Sequence, residues 1–360
     1  MSRTFRLMLL TCVSLLVSCA SPEGRKPFDG PLIWPQPPEQ PRFAYETMLR
    51  SSADIAFVSE EASLRETLTG RAAVSSDPVF DKPAAIVARK GRIYVADTGT
   101  HTIVVFDIPR RKVFRFGIRE PGSLRKPAGL ALDGEMNVYV ADSTWRRVFV
   151  YDELGLFVRT VGDPEDLDRP TGVAVSRDGE RIYVIDRAHN ESDQHRVVVY
   201  NKAGKKVQVI GGRGDAEGQF NVPIQASVGK DGKLYVLDSG NFRVQVFDPE
   251  GKFLRTFGGP GKEFGHFARP RGIAVDDEGN IYVSDAQFSN FQIFNPSGDL
   301  LLAIGQAGKE ANPGQYGMLN GIAVDETGRV YVGDQLFNKV EVIRRLSDSE
   351  GQQMLKEAKK

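Results

Sequence analysis

The sequence predicts an all-β fold, a six-bladed β-propeller, on three observations. A phrase made of an apolar residue, Tyr, Val, one variable residue and Asp occurs six times. Its Asp residues stand 44 to 52 residues apart. Each interval holds four short strand-like runs divided by turns, which is the pattern of one propeller blade.

The phrase supplies the second strand of each unit: Ile93-Tyr94-Val95-Ala96-Asp97, Val138-Tyr139-Val140-Ala141-Asp142, Ile182-Tyr183-Val184-Ile185-Asp186, Leu234-Tyr235-Val236-Leu237-Asp238, Ile281-Tyr282-Val283-Ser284-Asp285 and Val330-Tyr331-Val332-Gly333-Asp334. The first strand lies ahead of it, as in Pro170-Thr171-Gly172-Val173-Ala174-Val175, Pro270-Arg271-Gly272-Ile273-Ala274-Val275 and Asn320-Gly321-Ile322-Ala323-Val324-Asp325. Gly-bearing pairs such as Asp178-Gly179 and Glu278-Gly279 join the two as tight hairpins. Third and fourth strands follow, for example residues 243–247 and 253–258. The runs are apolar on both alternating faces, as a blade sandwiched between two others requires. Gly inside the first strand fits backbones that crowd around an axis. Ala85 and Gln225 depart from that rule.

Together, the Pro-x-Gly-[Ile/Val]-Ala-[Val/Leu], Tyr-Val-x-Asp and Asn-x-Arg-Val-x-Val-Phe signatures resemble NHL repeats over roughly residues 81–346. The Trp-Asp dipeptide of WD40 repeats and the paired glycines of kelch repeats are missing. The sixth unit ends near Val340-Glu341-Val342-Ile343 with three strands, before a charged tail at 347–360. Phe43-Ala44-Tyr45-Glu46-Thr47-Met48-Leu49 alternates like a strand, so an N-terminal strand at 42–50 is expected to complete the last blade. Closure removes exposed strand edges. The propeller is thus expected over 42–346, with 51–80 an extra-repeat segment that is helix-like from Glu60 to Thr69 and a candidate rim cap.

Before the propeller, Arg3 and Arg6 precede an apolar run from Leu7 to Val17, the pattern of a signal peptide over 1–18. At ~1.5 Å per residue that run covers about 17 Å of a hydrocarbon layer roughly 30 Å thick, too little for a spanning helix. Leu16-Val17-Ser18-Cys19 resembles a bacterial lipobox, which implies lipidation of Cys19; acyl chains anchor with about 0.8 kcal/mol per buried methylene. With Ala20 next, the resemblance implies a lipoprotein exported to the cell envelope, at the outer membrane facing periplasm or surface. Residues 19–41 carry Pro at 22, 27, 31, 35, 37, 38 and 41. They are expected to form an extended tether at about 3.1 Å per residue. Both cysteines, Cys12 and Cys19, lie in or at the end of the leader, so the body has no disulfide. Removing Arg3 and Arg6 from 47 Lys and Arg leaves 45 against 47 Asp and Glu. That balance gives no basic excess for nucleic acid. A monomer is expected.

In such a ring the loops joining strands two to three and four to one share one face around the axial channel, and ligand chemistry is expected there. Lys82, Lys126, Arg169 and Arg269 stand just before the first-strand prolines and are joined by Arg271, a candidate collar for an anionic ligand or an acidic partner loop. Gln225 replaces the usual Gly at the axis. Trp145, Phe242, Phe288 and Phe337 recur in the same loops, as hot-spot aromatics of a protein interface or as packing between blades. The six phrase-ending Asp residues, with Arg147, Arg196, Arg243 and Lys339, are expected as strand braces.

His101 and His195 occupy matching positions after their Asp residues in blades 1 and 3. That arrangement resembles zinc-holding NHL-type lyases, with Ser289 at the third equivalent position and His266 nearby; zinc wants three protein ligands and an open place. A resemblance to lactonase-like propellers would instead imply calcium. No phosphate loop, Gly-x-Ser-x-Gly, His-Glu-x-x-His or haem motif occurs. The expected function is therefore a membrane-anchored binding or scaffold module for an envelope or extracellular protein, or for an anionic small ligand, without a cofactor. The alternative is a zinc- or calcium-dependent lyase or lactonase-like hydrolase at the channel.

Overall fold

In the computed structural model, residues 32–56, 68, 75–190 and 192–357 are described. The leader, Cys19, most of the tether and most of the helix expected at 60–69 lie outside the described residues.

Five four-stranded antiparallel sheets follow one another along the chain, each built from four consecutive strands. Blade 1 runs from Pro83–Arg89 to Lys112–Phe116, blade 2 from Pro127–Leu132 to Phe157–Val161 and blade 3 from Pro170–Val175 to Lys206–Ile210. Blade 4 runs from Pro223–Val228 to Phe253–Gly258, and blade 5 from Pro270–Val275 to Leu300–Ile304. Blade 6 takes three strands from the end of the repeat, Leu319–Val324, Val330–Asp334 and Lys339–Arg345, and its outer strand from the N-terminal side. That outer strand, Phe43–Leu49, pairs antiparallel with Lys339–Arg345 from Phe43 opposite Arg345 to Leu49 opposite Val340.

Packing explains the ring. Six separate apolar cores fill the six gaps between neighbouring blades. Tyr94, Val105, Val140 and Tyr151 meet between blades 1 and 2, for example, and Ile86, Val95, Tyr331 and Val342 between blades 1 and 6. Each sheet is therefore buried on both faces, which accounts for the continuous apolar runs. Outermost strands instead alternate half-buried and exposed residues, as in Phe253–Gly258. The recurring Tyr is explained as well. It is buried, and in blades 2, 5 and 6 its hydroxyl reaches the carboxylate of its own first hairpin, Tyr139 to Asp133 at 3.1 Å, Tyr282 to Asp276 at 3.0 Å and Tyr331 to Asp325 at 2.8 Å, while Tyr94 of blade 1 donates to the Glu153 carbonyl of blade 2.

First-strand glycines sit where backbones of adjacent blades nearly touch. A Cβ on Gly129 would stand 2.7 Å from Cα of Gly172, and one on Gly272 would stand 2.6 Å from the Asn320 carbonyl oxygen.

The ends carry two further elements. Within the expected tether, Ile33–Trp34 adds a fifth strand outside Phe43–Leu49, with Ile33 fully buried. Within the charged tail, Asp348–Glu357 is a helix. Glu350 accepts from the Ser347 backbone and hydroxyl and from Arg344, and Gly351 lies so close to the Pro41 carbonyl that a side chain has no room.

Candidate functional site

The face of the two-to-three and four-to-one loops is built on the six phrase-ending Asp residues, all fully buried. In blade 5, Asp285 accepts from the backbone N–H groups of Ala268 and Arg269 ahead of the first strand and of Gln287 and Phe288 after the second. Asp97, Asp142 and Asp334 repeat that four-donor pattern. A carboxylate so surrounded by donors fastens two loops together and has little capacity left for a metal.

The basic partners differ by blade. Arg243 reaches Asp238 at 2.9 Å and Arg196 reaches Asp186 at 3.4 Å. Arg147 Nε has no partner. In blade 6 Lys339 turns to Glu341 at 2.6 Å, both fully buried, under the ring of Tyr316.

This scaffold fixes where the collar stands. In blades 1, 2, 3, 5 and 6 the residue after the Asp donates its backbone N–H to the carbonyl of the residue before the first strand, so those two positions are neighbours, while in blade 4 Gly240 N–H bonds the Asn221 carbonyl instead. In blades 1, 2, 4, 5 and 6 the residue after the Asp is Thr98, Ser143, Ser239, Ala286 or Gln335; in blade 3 it is Arg187, whose N–H bonds Arg169 at 3.2 Å. Arg169 and Arg187 are thereby forced together. Across blade 4, Arg271 faces Arg187 and Arg269 closely enough to repel both.

Burial, and then Arg169, push the Arg187 guanidinium below its usual range. Burial, Arg269 and Arg187 do the same to Arg271, with Asp285 acting weakly the other way. None of these four side chains has a hydrogen bond or ion pair among the described residues, and Arg187 Nε and the Thr171 hydroxyl beside it are buried without any partner. The collar is thus concentrated on blades 3 and 5. Lys82 and Lys126 are exposed on blades 1 and 2.

Below the arginines Gln225 reaches across the axis, its amide donating to the Ala128 carbonyl of blade 2 at 3.2 Å. One residue further along the first strands, Ile86, Val173, Ala226, Ile273 and Ile322 floor a funnel of about 190 Å³ that opens on the opposite face. Its rim carries Arg89, Arg177, Lys230, Asp276, Asp277, Asp325 and Glu326, so acids and bases are mixed there. Asp277 lies 4.0 Å from Arg177 and 3.7 Å from Lys230, and Glu326 accepts the Lys90 N–H.

Of the expected aromatics, Trp145 and Phe242 pack partly against inter-blade cores, Trp145 donating its indole N–H to the Ser123 carbonyl and lying under Arg125. Phe288 and Phe337 are half-buried. Leu336 is 60% exposed on this face, an apolar residue that the aromatic pattern did not flag.

His101, His195 and His266 do not form a three-ligand group among the described residues. His101 and His195 share a register position, since each precedes the residue paired with its Asp, Thr102 and Arg196. Their conformations differ. His101 has φ 60°, and Arg146, Phe242, Ser289 and Asn338 take the same left-handed turn in their blades, so this position is set by backbone geometry. The insertion in blade 3 moves that turn to Ala188 and buries His195, whose Nδ1 accepts the Val222 N–H at 3.1 Å while Nε2 lies 3.2 Å from the His189 carbonyl. Both ring nitrogens are engaged. His266 is exposed in another loop. Among the described residues no group of three His, Cys, Asp or Glu could hold a metal ion.

The sequence reading missed Arg187 and Thr171, although a bulky cation where other blades carry mostly small residues was visible. It also missed the funnel, whose charged rim sits in ordinary hairpin turns.

Comparison with known proteins agrees with this architecture. The NHL repeat family matches residues 80–106, 220–247 and 267–294, in blades 1, 4 and 5. Protein brain tumor of Drosophila melanogaster is 31% identical over 104 residues, 28% of this chain, which spans only 10% of that relative's length. A protein of unknown function from Bacteroides thetaiotaomicron superposes with a TM-score of 0.59 at 16% identity, over 76% of this chain and 71% of that one. A gluconolactonase from Xanthomonas campestris gives 0.57 at 16% identity over 84% and 98%. Virginiamycin B lyase from Staphylococcus aureus gives 0.51 at 11% over 74% and 96%. At these identities the likeness is one of fold. This chain is a six-bladed β-propeller that carries NHL repeats.

Proposed function

We propose that this propeller is a binding module, held at the cell envelope by lipid on Cys19, that presents its two-to-three and four-to-one loop face to an anionic ligand or to a partner protein with an acidic surface. One observation supports the reading above others: four arginines converge at that mouth with no side-chain hydrogen bond or ion pair to a carboxylate among the described residues, Asp285 alone acting on Arg271 from a distance. Folding alone favours pairing or dispersing such charges. Half-buried Phe288 and Phe337 and exposed Leu336 offer apolar contact beside them. No helix among the described residues is long and apolar enough to cross a membrane, so the anchoring part of the reading rests on the leader and Cys19.

The test immobilises the mature disc and challenges it with envelope extract. A variant with Arg169, Arg187, Arg269 and Arg271 changed to Gln should lose whatever the unaltered disc retains, while Arg177→Gln with Lys230→Gln on the opposite face keeps it. Equal retention by both variants contradicts the reading. For the anchor, Cys19→Ser should move the protein from the membrane to the aqueous fraction on cell breakage.

A further inference from the structure

Arg169, Arg187, Arg271 and Thr171 stand around one opening, and their chemistry is narrower than a diffuse basic patch. Guanidiniums offer planar, paired N–H donors suited to oxyanions. A hydroxyl adds one donor of adjustable direction. Arg187 Nε and the Thr171 Oγ1 are both buried without a hydrogen-bond partner among the described residues, so each has an unused donor that a shift of its side chain would turn to an anion. Gln225 of blade 4 bonds the Ala128 carbonyl of blade 2 and so gives the cup between these residues part of its floor.

We propose that this cup seats one compact oxyanion group, a phosphate or a pair of carboxylates, gripped between Arg187 with Arg169 on blade 3 and Arg271 on blade 5, with the Thr171 hydroxyl as a further donor. This rests on the reading of the mouth as the binding face and specifies what is bound at its centre. The group is too small to engage Lys82 and Lys126, which lie on blades 1 and 2 and act only at longer range. Mutual repulsion among the empty arginines is relieved on binding, so the anion also stabilises the fold. The same group is available from two sources, a free anion in solution or one displayed at the tip of a partner segment.

The test is calorimetric titration of the mature protein with inorganic phosphate and, separately, with a short Asp-rich peptide, backed by thermal unfolding in each. Saturable one-to-one binding of phosphate is expected, with Arg187→Gln and Arg271→Gln each weakening it about tenfold or more. Lys82→Gln with Lys126→Gln should change it less than about threefold. Phosphate binding as tight as the peptide's identifies a free anion as the source; a peptide bound far more tightly identifies a displayed one. Arg271→Lys keeps the charge and guards against a folding artefact. It should retain weak binding without the full thermal shift. No saturable binding of either probe, or losses that track total charge regardless of position, overturns the seat. Should phosphate fail while the four-arginine variant still abolishes retention from envelope extract, the seat is wrong and the binding face stands.

Discussion

The two ends of the axis are made of the same strands and teach opposite lessons. At the funnel end acids and bases are mixed: Asp277 sits between Arg177 and Lys230, and Asp133, Asp276 and Asp325 are held by tyrosine hydroxyls and hairpin N–H groups. At the arginine end the carboxylates are used up inside the scaffold, bonded to backbone, and the cations are left over. An acid and a base near each other in sequence therefore need not pair. Arg169 lies one residue after Asp168 and directly beside Asp186 in space, yet it is the Arg169 backbone that Asp186 holds.

Substitutions at both ends sharpen this contrast. The largest effect is expected at the brace. Asp285→Ala leaves buried N–H groups unpaired and should lower unfolding free energy by about 3–5 kcal/mol, whereas Asp277→Ala at the funnel rim removes only exposed pairs and should change it by less than about 0.5 kcal/mol. Chemical denaturation measures both. Next comes alkali, which acts through the tyrosines. Burial, first of all, raises Tyr94 from 10.0 to about 12 and raises Tyr139, Tyr282 and Tyr331 further, the last three also facing carboxylates of the funnel-end hairpins. A raised folded value means the proton is held more tightly in the fold. Stability is whole below pH 10 and falls as pH climbs through about 12. Denaturation series from pH 8 to 12 should show this fall, and Tyr282→Phe should reduce it.

Smaller again is Gly272→Ala, where a methyl meets the Asn320 carbonyl of the next blade; about 1–3 kcal/mol of destabilisation is expected from overpacking. The smallest effect carries the telling sign. Arg271→Gln should stabilise the empty protein by about 0.5–1 kcal/mol by relieving like charge, while Arg177→Gln, which loses a weak pair, should be neutral or slightly destabilising. Thermal unfolding without multivalent anions reads the difference.

Most of the frame was legible because repetition averages out local noise. Six copies of Tyr-Val-x-Asp place strands, turns and braces without reference to any one blade, and the unpaired third strand of blade 6 pointed to residues 43–49. What escaped depends on single positions. Pairing of Ile33–Trp34 with Phe43 and Ala44 was hidden by surrounding prolines. The different surroundings of the two histidines could not be read from register, because the insertion in blade 3 changes the turn, burying His195 and leaving His101 on the surface. Arg187 was hidden in the most repetitive part of the sequence, beside an Asp that seemed a ready partner but was already bonded to Arg196 and the chain's own amides.

The central claim is that the arginine mouth, unlike the funnel mouth, holds cations without ion-pair partners among the described residues and receives an anion. Diffraction from crystals soaked in selenate tests it directly, because the anomalous signal of selenium locates the anion. A single strong peak between Arg187 and Arg271, within hydrogen-bond reach of the Thr171 hydroxyl, is the result this account requires. An empty arginine mouth, with selenate scattered over surface lysines or gathered at the funnel rim, would contradict it.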